Sequence, residues 1–261
     1  MKEFIQDVAR KGGAVILSAS EHDVKSLEKT DARNIVTAYD EAVQDMVFQK
    51  YSDEIPGIAL LGEEAGLGSV PNEGSFVIVD PIDGTSNFVR NVKRSAVSIA
   101  FGVDGVVTHG CVFDPYLNEM FYAEKGQGSY LNGVRIERNN DIDLASSLVC
   151  FGTCPYDVYM SKEVFALAER VFRSSLDLRR TGCASLEMCY VAANRYDLFF
   201  ESILYPWDYA ASNLIVEEAG GSAFSFNREP VSLQDRSSVV MGSSKAVADF
   251  LSIADEMNLV G

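Results

Sequence analysis

Histidine and paired cysteines are scarce in this chain. Its 261 residues include two histidines, His22 and His109, far apart in sequence. The five cysteines, Cys111, Cys150, Cys154, Cys183 and Cys189, are odd in number and lack paired spacing. That argues against a Cys/His zinc site and against a disulfide framework, and reads as reduced thiols. No G-x-S-x-G elbow is present, so serine-triad chemistry has little support. Long apolar runs are missing as well: none approaches a membrane span. Near the N-terminus Glu3 and Asp7 interrupt the pattern, and Ala14-Val15-Ile16-Leu17 is too short for a signal-peptide core. A cytoplasmic location is the resulting expectation, with no membrane as partner. Positive charge is in deficit. Against 38 Asp and Glu stand 22 Lys and Arg, a net charge of −16, and a nucleic-acid surface needs a basic face. Such an excess of acid does not exclude an anionic substrate, because bound cations reverse a local field. Repeats and low-complexity segments are also lacking.

What the chain does have is a strand that ends in acids. Phe76-Val77-Ile78-Val79 reads as a short buried strand, followed by Asp80-Pro81-Ile82-Asp83-Gly84-Thr85-Ser86-Asn87-Phe88. The strand therefore delivers Asp80 and Asp83 to its carboxyl end, where ligands bind in open α/β folds. Asp83 is expected to cap the turn that follows, leaving the N–H groups of Gly84, Thr85 and Ser86 free for an anion such as phosphate. Two carboxylates beside an anion repel each other unless hard divalent cations lie between them. Asp-Pro and Asp-Gly are also ordinary turn dipeptides, so the stretch gains weight from two others: Gly62-Glu63-Glu64, after the apolar run Ile58 to Leu61, and Trp207-Asp208, which opens a helix after Pro206.

The remaining pattern alternates helices and strands. Helical spacing runs from residue 2 to about 20, and a second helix runs from about Ala38 to Tyr51 after Ile35-Val36-Thr37. Between them, His22 to Asn34 is polar, lacks periodicity and reads as a mobile loop containing Lys29. Strands are expected at Ala96 to Val103, Val106 to Phe113 and Glu119 to Ala123, the first two joined by an Asp104-Gly105 hairpin turn. Gly126, Gly128 and Gly133 mark further turns, and a polar stretch, 138–147, divides the chain. Beyond it come strands at Leu148 to Gly152, Leu176 to Arg179, Tyr196 to Glu201 and Val239 to Met241. Helices are expected at Glu163 to Phe172, Ser185 to Ala193, Pro206 to Ala219 and Ala246 to Asn258. This α/β alternation predicts sheets sandwiched between helices, in one domain whose halves span approximately 1–140 and 141–261.

Glu63-Glu64, Asp80-Pro81-Ile82-Asp83-Gly84-Thr85 and Trp207-Asp208-Tyr209-Ala210-Ala211 resemble the signature segments of the inositol monophosphatase family, in order and at about its spacing. The resemblance covers nearly the whole chain. It implies a five-layer α-β-α-β-α sandwich and a magnesium-dependent, lithium-sensitive phosphomonoesterase that forms a homodimer. By the same resemblance, Glu63, Asp80 and the Ile82 carbonyl hold one Mg2+, and Asp80, Asp83 and Asp208 hold a second. Glu63 also touches a weaker third ion. Thr85 and Glu63 orient the attacking water, and Asp40 orients Thr85. Asp83, Gly84, Thr85, Gly182, Cys183, Ala184 and Glu201 face the substrate. Glu64 is assigned a supporting place, and Lys29 aligns with a lysine near the metals. Simpler readings exist for several of these. Asp40 and Asp208 each stand in the first turn of a helix, where a negative charge is favoured anyway, and Cys183 reads equally well as a buried thiol.

The resemblance is less specific for the substrate. A small polyol or sugar phosphate, first of all inositol monophosphate, is the expectation; fructose 1,6-bisphosphate, histidinol phosphate and NADP are rivals. Ser86-Asn87-Phe88 departs from the Lys-Glu-Phe usual in phosphatases of 3′-phosphoadenosine 5′-phosphate. Cys183 stands where the family more often has Ser or Thr, and Lys93-Arg94 where it has Pro and an aromatic residue. Those two cations would serve a second phosphate or face solvent. A reading of another class is an interaction protein that keeps the fold, since some bacterial relatives bind transcription machinery. The presence of all the metal-binding carboxylates weighs against it.

Overall fold

The computed structural model describes residues 1–19, 26–28, 35–66, 68–155 and 158–259. Helix α1 (Lys2–Ser18) and strands β1 (Ser26–Glu28) and β2 (Ile35–Thr37) precede α2 (Ala38–Glu54). Then follow β3 (Ala59–Gly62), β4 (Ser75–Asp83), the short helix α3 (Thr85–Val89), β5 (Ala96–Val103), β6 (Val106–Asp114), β7 (Glu119–Glu124), β8 (Gly128–Leu131) and β9 (Val134–Ile136). The rest comprises β10 (Leu148–Phe151), α4 (Ser161–Ser174), β11 (Asp177–Arg179), α5 (Ala184–Ala192), β12 (Leu198–Leu204), α6 (Pro206–Glu218), β13 (Ser222–Phe224), β14 (Ser237–Gly242) and α7 (Ser244–Glu256).

Strands β3 to β9 form a seven-stranded sheet in sequence order, parallel only between β3 and β4. The second sheet has five strands in the order β11-β10-β12-β14-β13. One apolar cluster joins α1 and α2 to the outer face of the larger sheet through Ile5, Val8, Val43, Val47, Val77 and Val97. A second fills the middle, where α5 and α6 lie between the sheets with Leu186, Met188, Leu214, Ile215, Phe121 and Phe199. A third packs α4 and α7 on the outer face of the smaller sheet, through Leu167, Val171, Phe200, Val247 and Phe250. The result is the expected α-β-α-β-α sandwich. Burial explains why: both faces of both sheets are apolar, so each requires a helical cover. Among the described residues, no helix is long and apolar enough to cross a membrane.

Three expectations need correction. Ser26–Glu28, placed in a loop, pairs antiparallel with Ile35–Thr37; a three-residue strand leaves no periodicity to detect. Lys29 lies outside the described residues. Around Gly128 and Gly133 the chain forms not only turns but the strands β8 and β9, which close the edge of the large sheet. Strand β4 does not end at Val79. It runs on to Asp83, with Asp80 opposite Ser98 and Asp83 opposite Ala96, so three steps on β4 match two on β5. Pro81 has no N–H for the ladder, and the bulge accommodates it.

Candidate active site

The bulge aims the acids. Asp80 and Asp83 are buried, 2% and 7% exposed, yet both line a cavity of about 150 Å3 between the sheets. Glu63 enters it from the loop after β3 and Asp208 from the first turn of α6. Ile82, Gly84, Thr85, Gly182, Cys183, Ala184 and Glu201 also line it. The structure thus gathers residues scattered from 63 to 208 into one pocket. Asp40 stands behind Thr85. Glu64 and Arg94 do not line the cavity.

Each acid is aimed by a local device. Asp80 Oδ1 accepts from the Ile82 N–H at 3.1 Å. Asp208 Oδ2 accepts from the Tyr205 N–H at 2.7 Å and so caps the first turn of α6 from its third position. The helix-cap reading of Asp208 therefore holds, and the same carboxylate still faces the pocket. Asp40 does likewise for α2, accepting from Thr37 N–H at 2.8 Å and from the Thr37 hydroxyl at 2.5 Å. Its other oxygen accepts from the Thr85 hydroxyl at 3.3 Å, while that hydroxyl also lies 3.1 Å from the Ile82 carbonyl. Glu64 is tied down through its backbone N–H, which donates to Gln44 Oε1 at 3.0 Å.

Asp83 does not cap the helix that follows it. Gly84 is the N-cap of α3, at φ 86°, with no side-chain capping bond. Asp83 instead reaches α5, a hundred residues on, where it accepts from Ala184 N–H at 3.2 Å, Ser185 N–H at 2.6 Å and Ser185 Oγ at 2.5 Å. The Cys183 thiol donates to the same carboxylate at 3.2 Å. The departure from Ser or Thr at Cys183 thus keeps a donor here, though a weaker one. Lys93 and Arg94 are also resolved in part: the Arg94 guanidinium donates to the Tyr190 hydroxyl at 2.8 Å.

The electrostatics are one-sided. Burial pushes Asp80 well above the usual carboxylate range, and Glu63, Asp83, Asp208 and Asp40 push it further. Asp208 is raised by burial, then by Asp83 and Glu63. Asp40 is raised to about 6, chiefly by burial, against the pull of its bonds to Thr37. Glu201 is raised by burial, by Glu187 and by Asp208, while Arg180 acts in the other direction. Among the described residues, Arg180 is the one basic side chain lining the cavity, and it is anchored on the Thr153 hydroxyl. Among the described residues, no three His, Cys, Asp or Glu side chains converge tightly enough to cage a metal by themselves. The donor set nevertheless fits magnesium, which takes a few carboxylates and leaves its other positions to carbonyls, water and phosphate. Among the described residues, the leading influences on Asp80 are its own burial and the neighbouring acids, and such an ion relieves their mutual repulsion.

Sequence reading missed Ser185 and Glu187. Both follow Gly182-Cys183-Ala184, but nothing in their spacing marks them, since one bonds Asp83 across the chain and the other folds back on its own loop.

A layered α/β sandwich with an acid-lined pocket between its sheets defines a class of fold, and the comparisons agree on its family. The inositol monophosphatase family model matches residues 1–257. This chain belongs to that family. Among curated relatives, the Nus factor SuhB of Pseudomonas aeruginosa is 36% identical over 244 residues, covering 91% of this chain and 89% of its own. The Nus factor SuhB of Pasteurella multocida is 35% identical over 221 residues, covering 84% and 82%. Among solved structures, the IMPase of Thermotoga maritima aligns with a TM-score of 0.87 at 28% identity, covering 99% of this chain and 98% of that one.

Proposed function

We propose that the protein is a magnesium-dependent phosphomonoesterase acting on a small polyol or sugar phosphate, inositol monophosphate first. The observation that carries this is the convergence of Glu63, Asp80, Asp83 and Asp208 on one pocket beside the Gly84-Thr85 turn. Glu63, Asp80 and the Ile82 carbonyl would hold one ion; Asp80, Asp83 and Asp208 would hold another. Bound there, magnesium supplies Lewis-acid stabilisation of the phosphoryl oxygens. The backbone N–H groups of Gly84 and Thr85 would hold the phosphate. The Thr85 hydroxyl commits its proton to Asp40 or to the Ile82 carbonyl. Its oxygen is then left to accept a hydrogen bond from the attacking water. Glu63 would accept the proton of that water as the oxygen–phosphorus bond forms and the ester P–O bond breaks, and the departing alkoxide would take a proton from solvent water to leave as the alcohol. Glu201, 7% exposed and facing the cavity, would accept from a hydroxyl of the alcohol part. Phosphate release from a panel of phosphomonoesters, with magnesium and with chelator, tests the reading; inertness toward the whole panel with magnesium overturns it.

The curated relatives carry the name Nus factor, and that name supports a second reading, an interaction role on the same fold. Retention by this chain of all the acids that would hold metal favours the enzyme. Homodimer formation belongs to the first reading. Phe165, Phe172 and Leu176 are exposed on and after α4, which supports association through an apolar face; light scattering is expected to give twice the chain mass of 28.5 kDa.

A further inference from the structure

The dipeptide Thr181–Gly182 is gripped from both sides. Glu187 Oε1 accepts from Thr181 N–H at 2.6 Å, Thr181 Oγ1 at 2.7 Å and Gly182 N–H at 2.9 Å. The Asn87 amide nitrogen shares its two hydrogens among the Thr181 carbonyl at 2.9 Å, the Gly182 carbonyl at 3.1 Å and the Arg94 carbonyl at 2.8 Å. Both N–H groups of the dipeptide are thus held by one side chain and both carbonyls by another. The two grips come from distant parts of the chain, Asn87 on α3 beside the Gly84-Thr85 turn and Glu187 on α5.

Neither contact is a by-product of packing. Glu187 is 1% exposed, and burying a carboxylate is costly unless donors satisfy it. Within α5 its own N–H already bonds Cys183, so the side chain adds nothing the helix needs. Gly182 sits at φ 81°, and its carbonyl lies 3.0 Å from where a Cβ at Gly84 would be. The dipeptide therefore abuts the phosphate turn on one side and continues into Cys183 and Ala184 on the other. It is the strut between the two ends of the pocket.

We propose that Asn87 and Glu187 are positioning residues that fix the Thr181–Gly182 strut, and so set which alcohol parts fit between the phosphate turn and Glu201. The inference rests on the phosphatase reading for its substrate and on geometry for the strut. A hydrophilic alcohol that must meet both ends would feel a displaced strut. An aryl phosphate held by its phosphate alone would feel it little.

The test compares Glu187→Leu, which removes the acceptor, with Glu187→Gln, which keeps one. Glu187→Leu is expected to raise KM for inositol monophosphate about tenfold, the loss expected when a charge-assisted contact is removed, with kcat altered less than about threefold. With p-nitrophenyl phosphate, kcat/KM changes less than about threefold, and Glu187→Gln stays near wild type on both substrates. Asn87→Ala approaches from the other side and produces the same KM shift, even if Glu187→Leu fails to fold. Amide exchange, which needs no activity, reads the strut directly: Thr181 and Gly182 exchange faster in Glu187→Leu and remain protected in Glu187→Gln. Equal damage to both substrates, or Gln behaving like Leu, overturns the selectivity role. Unchanged exchange at Thr181 and Gly182 overturns the strut. A wild type inert on every phosphomonoester overturns the phosphatase reading and the selectivity with it, while exchange still decides the strut.

Discussion

The acid end of the pocket and the strut beside it are built on opposite principles. At the acid end, buried Asp80 is pushed up by its burial and then by Glu63, Asp83 and Asp208, and half-buried Asp208 by desolvation and then by Asp83 and Glu63. Along the Thr181–Gly182 strut the polar groups are paired: Glu187 accepts from three donors on one oxygen, and the two hydrogens of the Asn87 amide are shared among three carbonyls. Unrelieved repulsion marks a place prepared for cations. Completed hydrogen bonding marks a place prepared for shape. The contrast teaches that a buried carboxylate is informative chiefly through what surrounds it.

The largest expected effect breaks the acid end. Asp80→Asn removes the group that both proposed ion sites share, and is expected to lower kcat by about 10³-fold or more while leaving circular dichroism unchanged. Activity near wild type would sink the metal assignment. Thr85→Ala comes next. It leaves the pocket's charge intact but removes the water-orienting oxygen, so kcat is expected to fall about 10²-fold with little change in KM. A rise in KM alone would move Thr85 from chemistry to binding.

At the other end, Glu201→Gln is expected to cost about ten- to a hundredfold in kcat/KM for a polyol phosphate and little for an aryl phosphate. Equal damage to the two would make Glu201 structural. Gly152→Ala sharpens the same point, because a Cβ there would overlap the Glu201 carboxylate. Displacing that side chain without deleting it is expected to reproduce the selectivity loss at about tenfold; an unaltered substrate ratio would show that its position is immaterial.

The smallest effect concerns stability. In the metal-free protein Asp40 has a folded-state pKa of about 6 against 3.8. Between those values the folded state binds more protons than the unfolded one, so stability falls as pH rises through the window. From pH 5 to pH 7 the loss through Asp40 alone is on the order of 1 kcal/mol, and Asp80 and Asp208, raised in the same direction, add to it. Thermal melts in chelator are expected to show Tm dropping between these pH values, and magnesium to narrow the drop. A chelated protein more stable at pH 7 than at pH 5 would contradict the repulsive picture.

Local chemistry made one part of this protein legible and left the other hidden. The strand ending in Asp80-Pro81-Ile82-Asp83 could be read from its sequence because four apolar residues, a proline and two acids are adjacent. The Asp104-Gly105 hairpin and the helix opening at Pro206-Trp207-Asp208 are local in the same way. Short strands such as Ser26–Glu28 and Ser222–Phe224 were not legible, since their existence depends on a partner strand and not on their own pattern. The same limit governs the site. Sequence by itself determined which acids are present and that they stand near strand ends or a helix start. Only the tertiary structure decided that Asp83 turns from its own helix to α5, that Cys183 donates to it, and that Glu187 and Asn87 grip one dipeptide from opposite sides. The physical reason is distance along the chain. A hydrogen bond between residues a hundred positions apart leaves no period and no motif, and forms only after the packed layers have brought its partners together.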